Sequence, residues 1–396
     1  MTHTDTVNRT APARSGPRAA PGRPILLVAA LSSATLTAVG LWNAAAGYRL
    51  FADPDTALIA HWLPAPGSGR LLIALGVAGL LVALLAALQP RPGGVTPVLT
   101  VIAGAEVLGL GVAFQSVSTI SLAGYLVALV LPLGLIWIAV QVVRRYRRVR
   151  WLVLAAVLAA AVWGGITGAL RPDTLRSLAV NLARGFAGHA DQLLMVLLLG
   201  FGTTCWVLVT LRLLRHGSGY GAFGGWVQRH RRGLTILAAL GPVPYALIRA
   251  TWLTPWPQLT AGAELEPEMR LWGLLLGGGA ALGSILTIGL IRPWGEVFPR
   301  WMPWLGGREV PVAAAVVPGG LVAGVLCASA IPMLQLTLSP LAGTVFSGLP
   351  LLQELAAMLI FPFWVWGPAL ALAVWGYALA RRDQATARAN RGARAR

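Results

Sequence analysis

The chain contains no lysine: all 31 of its basic side chains are arginine. Acid is scarce too, and only 11% of the residues are charged, against roughly a quarter in a soluble domain. That shortage excludes an ordinary water-soluble globule. Cysteine is nearly absent. Cys205 and Cys327 both fall inside apolar runs; they cannot form a disulfide framework or a metal knuckle and read as small buried hydrophobes. The histidines are scattered, with no HExxH and no i,i+4 pair, so no zinc site is indicated. Nucleotide-binding loops, nucleophile elbows and redox CxxC pairs are missing as well. No cofactor is expected, and an ATP-driven or soluble-type enzyme is disfavoured.

What the chain has is apolar surface. Of its 396 residues 57% are apolar, and its mean hydropathy is +0.72. Repeated long apolar runs make it a polytopic membrane protein. The runs are too long for barrel strands and lack their alternation, so the expected fold is an all-α transmembrane helix bundle. The formal charge of +18 invites a nucleic-acid reading. It is rejected because the arginines sit in short loops beside apolar spans and form no basic domain.

Ten spans are expected in a bundle covering 24–380: about Pro24–Ala46, Leu71–Leu88, Val95–Phe114, Thr119–Val143, Trp151–Leu170, Gln192–Leu214, Leu234–Leu253, Leu271–Ile291, Val312–Met333, and one within Leu351–Ala380. Residues 1–23 are polar and rich in Pro, Ala and Arg, and read as a disordered tail. Residues 381–396 read as a second, basic tail. Between the fifth and sixth spans, Leu175, Leu178, Leu182 and Phe186 fall at helical spacing, which predicts a short amphipathic helix on the outer surface. Arg215–Gly233 reads as a loop. Leu334–Pro350, apolar but broken by Pro340, Gly343 and Gly348, is either a loop or a re-entrant segment.

The Arg144–Arg150 loop carries five arginines in seven residues and belongs on the cytoplasmic side of a plasma membrane, where anionic headgroups attract it. Alternation from that loop puts both termini in the cytoplasm. It assigns 24 arginines to inside segments and their adjoining span ends and 6 to outside ones, with Arg249 the only arginine well inside a span. Spans one to four and seven to ten also allow a parallel repeat: Gly40-Leu41-Trp42-Asn43 and Arg249-Ala250-Thr251-Trp252 each end a span before a Pro-containing hairpin.

Glu106 lies near the middle of the third span, and a carboxylate there must face the bundle interior and be paired or protonated. At 1.5 Å per residue, Glu106 is about 16 Å and Arg249 about 22 Å from the inner boundary. A Glu106–Arg249 pair across the bundle core is therefore expected. The alternative is a snorkelling Arg249 and a lone carboxyl. Asn43, Gln353 and Glu354 are further polar groups that such a cavity would use. His61, His189, Asp53, Asp55, Asp173 and Asp191 fall on the outer side, as a solvated rim or a cation-binding opening. Gly164/Gly168, Gly273/Gly277, Gly279/Gly283 and Gly320/Gly324 are small-xxx-small pairs suited to close helix contact. Pro242 and Pro244 should kink the seventh span and free carbonyls.

The most distinctive stretch is Arg292–Arg308, which holds Arg292, Arg300 and Arg308 together with Trp294, Trp301 and Trp304. Indole and guanidinium groups both suit the headgroup layer. The stretch reads as an anchor to anionic lipid headgroups or a docking site for a cytoplasmic partner. This WGEVFPRW loop, with Pro244–Trp252, resembles a group of uncharacterised polytopic membrane proteins of high-GC actinobacteria. Members often carry a charged or polar residue before the tryptophan of the first span, whereas here Asn43 and Ala44 follow Trp42. The resemblance implies source and topology, in line with the Ala-, Gly-, Pro- and Arg-rich composition, and it implies no mechanism.

Three functions fit these features. One is a transporter-like protein handling a small solute, ion or lipid. The second is a non-transporting scaffold that docks partners through Arg292–Arg308. The third is a lipid-acting intramembrane enzyme using Glu106 as general acid or base; it lacks a second catalytic group at convincing spacing.

Overall fold

A computed structural model describes residues 23–46, 58–63, 65–89, 94–115, 118–145, 150–215, 218–257, 265–300, 302, 305–338 and 358–394. Those residues form helices: α1 (Arg23–Ala46), α2 (Ala65–Leu88), α3 (Thr96–Leu108), α4 (Ser118–Arg145), α5 (Arg150–Ile166), α6 (Pro172–Gly188), α7 (Ala190–Leu214), α8 (Ser218–Leu240), α9 (Val243–Thr251), α10 (Pro267–Gly289), α11 (Val312–Leu338) and α12 (Phe363–Arg394). Among the described residues nine helices are long and apolar enough to cross a membrane, α8 and α9 together forming one of them, and α5 is a shorter apolar helix. The chain is a multi-pass membrane protein with an all-α bundle.

Two cores hold it. In the first, α1, α2, α3 and α7 pack around Leu36, Leu72, Leu99, Leu110, Leu199 and Trp206. Lipid gives helices no hydrophobic reason to associate, so close backbone approach must do the work. Gly76 supplies it: a methyl there would lie 2.8 Å from the Ser33 carbonyl oxygen and 2.9 Å from the Thr37 amide nitrogen. Trp206 is fully buried and donates its indole N–H to Ser33 Oγ at 3.1 Å, tying α7 to α1. In the second core, α8, α11 and α12 meet at Ala238, Ala323, Leu326, Ala369, Ala373 and Tyr377. There Gly367 lies against the backbone of Cys327.

The relative sides of several connections follow from hydrogen bonds. At one end, Gln228 of α8 donates to Asp383 of α12 at 2.8 Å, and Tyr377 donates to the Gly295 carbonyl at 2.8 Å. The start of α8, the link after α10 and the end of α12 therefore share this end, called the basic end below. At the opposite end the amphipathic α6 is held to α10, Ser177 and Asn181 each donating to the Glu268 carboxylate at 2.8 Å. Trp163 donates to the Leu253 carbonyl at 2.9 Å.

Three elements differ from the sequence reading. Most of the expected Arg215–Gly233 loop is helix, because Tyr220 and Phe223 pack on Trp375 at 5.5 and 5.3 Å and Arg231 packs over Gly376. Tertiary contact there overrides a glycine-rich composition. Residues 381–394, expected as a tail, continue α12 because the link after α10 clamps them. The fifth span ends early, at Ile166, where Gly168 turns the chain with a φ of 76°.

Among the glycine pairs, Gly273 and Gly277 receive Trp252 and Arg249, while Gly320 and Gly324 have open space. Gly76→Ala should lower the melting temperature of the detergent-purified protein, at a cost of roughly 1–3 kcal/mol for overpacking. Gly104→Ala, where a methyl meets nothing within 4 Å, should leave it unchanged or raise it slightly.

Candidate functional sites in the bundle

Glu106 lies on the stripe of α3 that also carries Leu99, Ala103 and Leu110, all buried. It is 1% exposed, and neither carboxylate oxygen has a hydrogen-bond partner among the described residues. Three residues on, α3 widens into a π-helical turn, Gly109–Ala113. The Phe114 amide reaches back to the Gly109 carbonyl at 3.1 Å, and the Gln115 side chain donates to the Leu110 carbonyl at 2.9 Å. Such turns are rare and cluster at functional sites. A methyl on Gly111 would come within 2.7 Å of Thr203, which fixes the register of α3 on α7. Thr203, Trp206 and Thr210 follow one another along that side of α7. The Thr210 hydroxyl, on the same side of α7 as Thr203, is also buried without a partner among the described residues.

Arg249 occupies a different place. Its Cβ sits where a methyl on Gly277 would be, 2.5 Å away. Gly277 is ten residues into α10 and twelve from its end, roughly 15 and 18 Å along the axis, so Arg249 lies near mid-depth. The guanidinium stacks over Trp252 at 3.9 Å and Tyr245 at 5.0 Å. Its Nε is buried without a partner.

The expected Glu106–Arg249 pair is not made. The described ion pairs are those of Arg381 and Arg388 with Glu309. Depth along the membrane, which residue counting estimates, says nothing of lateral position: α3 packs on α7 and α2, whereas α9 packs on α10. Asn43 is buried in α1 and touches Gly69 of α2. Gln353 and Glu354 lie outside the described residues. Among the described residues no three His, Cys, Asp or Glu side chains converge on a point.

The link after α10 is a folded element. Val297 and Glu309 form an antiparallel bridge, with Phe298 N–H to the Arg308 carbonyl at 2.9 Å and Val310 N–H to the Glu296 carbonyl at 2.8 Å. Gly295 presses on the Gly289 backbone and Trp294 lies over Gly289. Arg381 donates to the Val310 carbonyl at 3.2 Å, and Arg388 pairs with Glu309. Arg292, Arg300 and Arg308 are all exposed on this element; Trp301 and Trp304 lie outside the described residues.

Sequence reasoning missed Thr210 and the π turn. A polar residue one helical step from Trp206 was a visible signal for the first; nothing in the residue pattern of Gly109–Ala113 marks the second. No protein-family model, curated protein or solved structure matches the chain. Because Glu106 and Arg249 do not touch, the stability effects of Glu106→Gln and Arg249→Gln should add within about 0.5 kcal/mol in the double variant. A thermal-denaturation cycle in detergent measures this, and a larger coupling would mean that the two side chains interact.

Proposed function

We propose that this integral membrane protein is transporter-like, moving a small solute or ion with Glu106 as its protonatable or cation-binding group. The carrying observation is the fully buried Glu106 carboxyl with no partner among the described residues. A carboxyl enclosed in a membrane bundle is costly. A purely structural carboxyl would be expected to accept hydrogen bonds or an ion pair, and this one has neither among the described residues. The adjacent π turn and the unpartnered Thr210 hydroxyl supply adaptable backbone and a second oxygen at the α3–α7 seam. The helix broken between α8 and α9 adds a feature common in transporters, where interrupted spans line the solute path.

Reconstitution tests the reading. Glu106→Gln should abolish solute-driven or ion-driven flux in proteoliposomes while the protein keeps its melting temperature. Undiminished flux in that variant would contradict it.

A second reading, docking through Arg292–Arg308, is favoured by the clamped fold of that link and its exposed arginines. If the basic end faces the cytoplasm, the link meets anionic headgroups or an acidic partner. Reversing charge at Arg300 and Arg308 should then weaken binding of phosphatidylserine in mixed micelles and leave flux intact.

A further inference from the structure

The break in the span formed by α8 and α9 has a definite cause. Pro242 and Pro244 lack the amide hydrogens that would reach back to Ala238 and Leu240. The intervening carbonyl of Ala239 is taken instead by Ser284 of α10, whose hydroxyl donates at 2.6 Å. The chain turns at Gly241, against which the Trp366 side chain packs; a methyl there would lie 2.5 Å from the ring. The Trp366 indole N–H is buried and has no acceptor among the described residues. The new helix then carries Arg249 two turns further on.

Arg249 is built into its place. Gly277 admits its Cβ, Gly273 admits the Trp252 ring, and Trp252 itself is 1% exposed. The guanidinium carbon lies over the Trp252 and Tyr245 rings, and its Nε has no partner among the described residues; the edge of a guanidinium binds a carboxylate in plane through two N–H groups. No carboxylate among the described residues takes that edge. From Tyr245 a run of aromatic rings leads back towards the break: Phe361 at 5.2 Å, Phe363 at 6.0 Å from Phe361, and Trp366 at 5.9 Å from Phe363. A cation with a free edge, an apolar aromatic wall and an unused indole donor thus succeed one another along one side of the broken span.

We propose that these residues form a binding site for a small organic acid with an apolar body. Arg249 takes its carboxylate, Tyr245, Phe361 and Phe363 take its body, and Trp366 donates to a polar group at the far end. The site lies beside the second core, away from Glu106. Binding there stands independently of the transport reading; only the further step, in which the bound acid is the solute carried, rests on it.

The test uses the full-length protein in detergent, with benzoate, acetate and inorganic phosphate as probes and the thermal shift as readout. Benzoate should stabilise the wild type more than acetate does, and phosphate should do little. Arg249→Gln should weaken benzoate at least tenfold, about 1.4 kcal/mol. Glu106→Gln should leave it unchanged. Should Arg249→Gln fail to fold, Arg249→Lys serves, because it keeps the charge and loses the planar fork; it should still weaken benzoate. No benzoate shift in the wild type, a shift that survives both arginine changes, or a shift with phosphate alone would overturn the site. Proteoliposomes separate the two proposals. Benzoate that binds through Arg249 but is not carried leaves the site standing and sinks only the step in which the bound acid is the solute carried. Benzoate flux indifferent to Arg249 sinks the site alone.

Discussion

Hydrocarbon offers a charged or polar side chain no solvent, so each one that enters the membrane must be enclosed by protein or reach an interface. The packing around Glu106 and Arg249 obeys that constraint. Glu106 is enclosed by an apolar stripe of α3 set against α7 and α2. Arg249 is flanked by two aromatic rings and by two glycines of α10, Gly277 leaving room for its stem and Gly273 for the Trp252 ring. The two solutions differ in kind. The first buries a carboxyl in the apolar first core; the second sets a cation over two aromatic rings. Since helices in lipid adhere through close fit, the glycines at 76, 273 and 277 matter as much to these sites as the polar residues themselves.

The same constraint orders the ends of the bundle. At the basic end, Glu309 receives Arg381 and Arg388, Gly295 receives Tyr377, and Gln228 reaches Asp383. The last helix therefore runs on past the apolar stretch as a strut that holds the link after α10 in shape. The exposed Arg388–Glu309 pair contributes little; the hydrogen bonds to backbone carbonyls and the glycine contact at Gly289 fix the geometry. At the opposite end, α6 lies on the bundle through Glu268, so an acidic residue in the first turn of α10 serves as the receptor for an amphipathic helix.

Much of the architecture was legible in the sequence because apolar length and helical spacing are local properties. The runs ending at Ala46, Leu88 and Leu214 end as helices there, and Leu175, Leu178, Leu182 and Phe186 do lie on an amphipathic helix. Gly273 and Gly277 were readable as a contact pair, though not what would fill them. Lateral neighbours were not legible: a residue count gives the depth of Glu106 and Arg249 and cannot say that α3 and α9 lie against different partners. The helix through Gly221, Gly224 and Gly225 was hidden for a related reason, since its stability comes from Trp375, some 150 residues away in the chain. The break at Gly241 was signalled by its two prolines; the aromatic run that lies beside it was not, because Phe361 and Trp366 meet it only in three dimensions.

The central claim is that the Glu106 carboxyl works by meeting solvent or solute during a cycle, although the structure encloses it. Infrared difference spectroscopy of the reconstituted protein, taken across the pH range in which it stays folded, tests this most directly. The account predicts a carboxyl band that changes with pH and disappears from the difference spectrum in Glu106→Gln. A spectrum identical in the two proteins at every pH would mean that no proton reaches the side chain, and Glu106 would then be a sealed part of the first core.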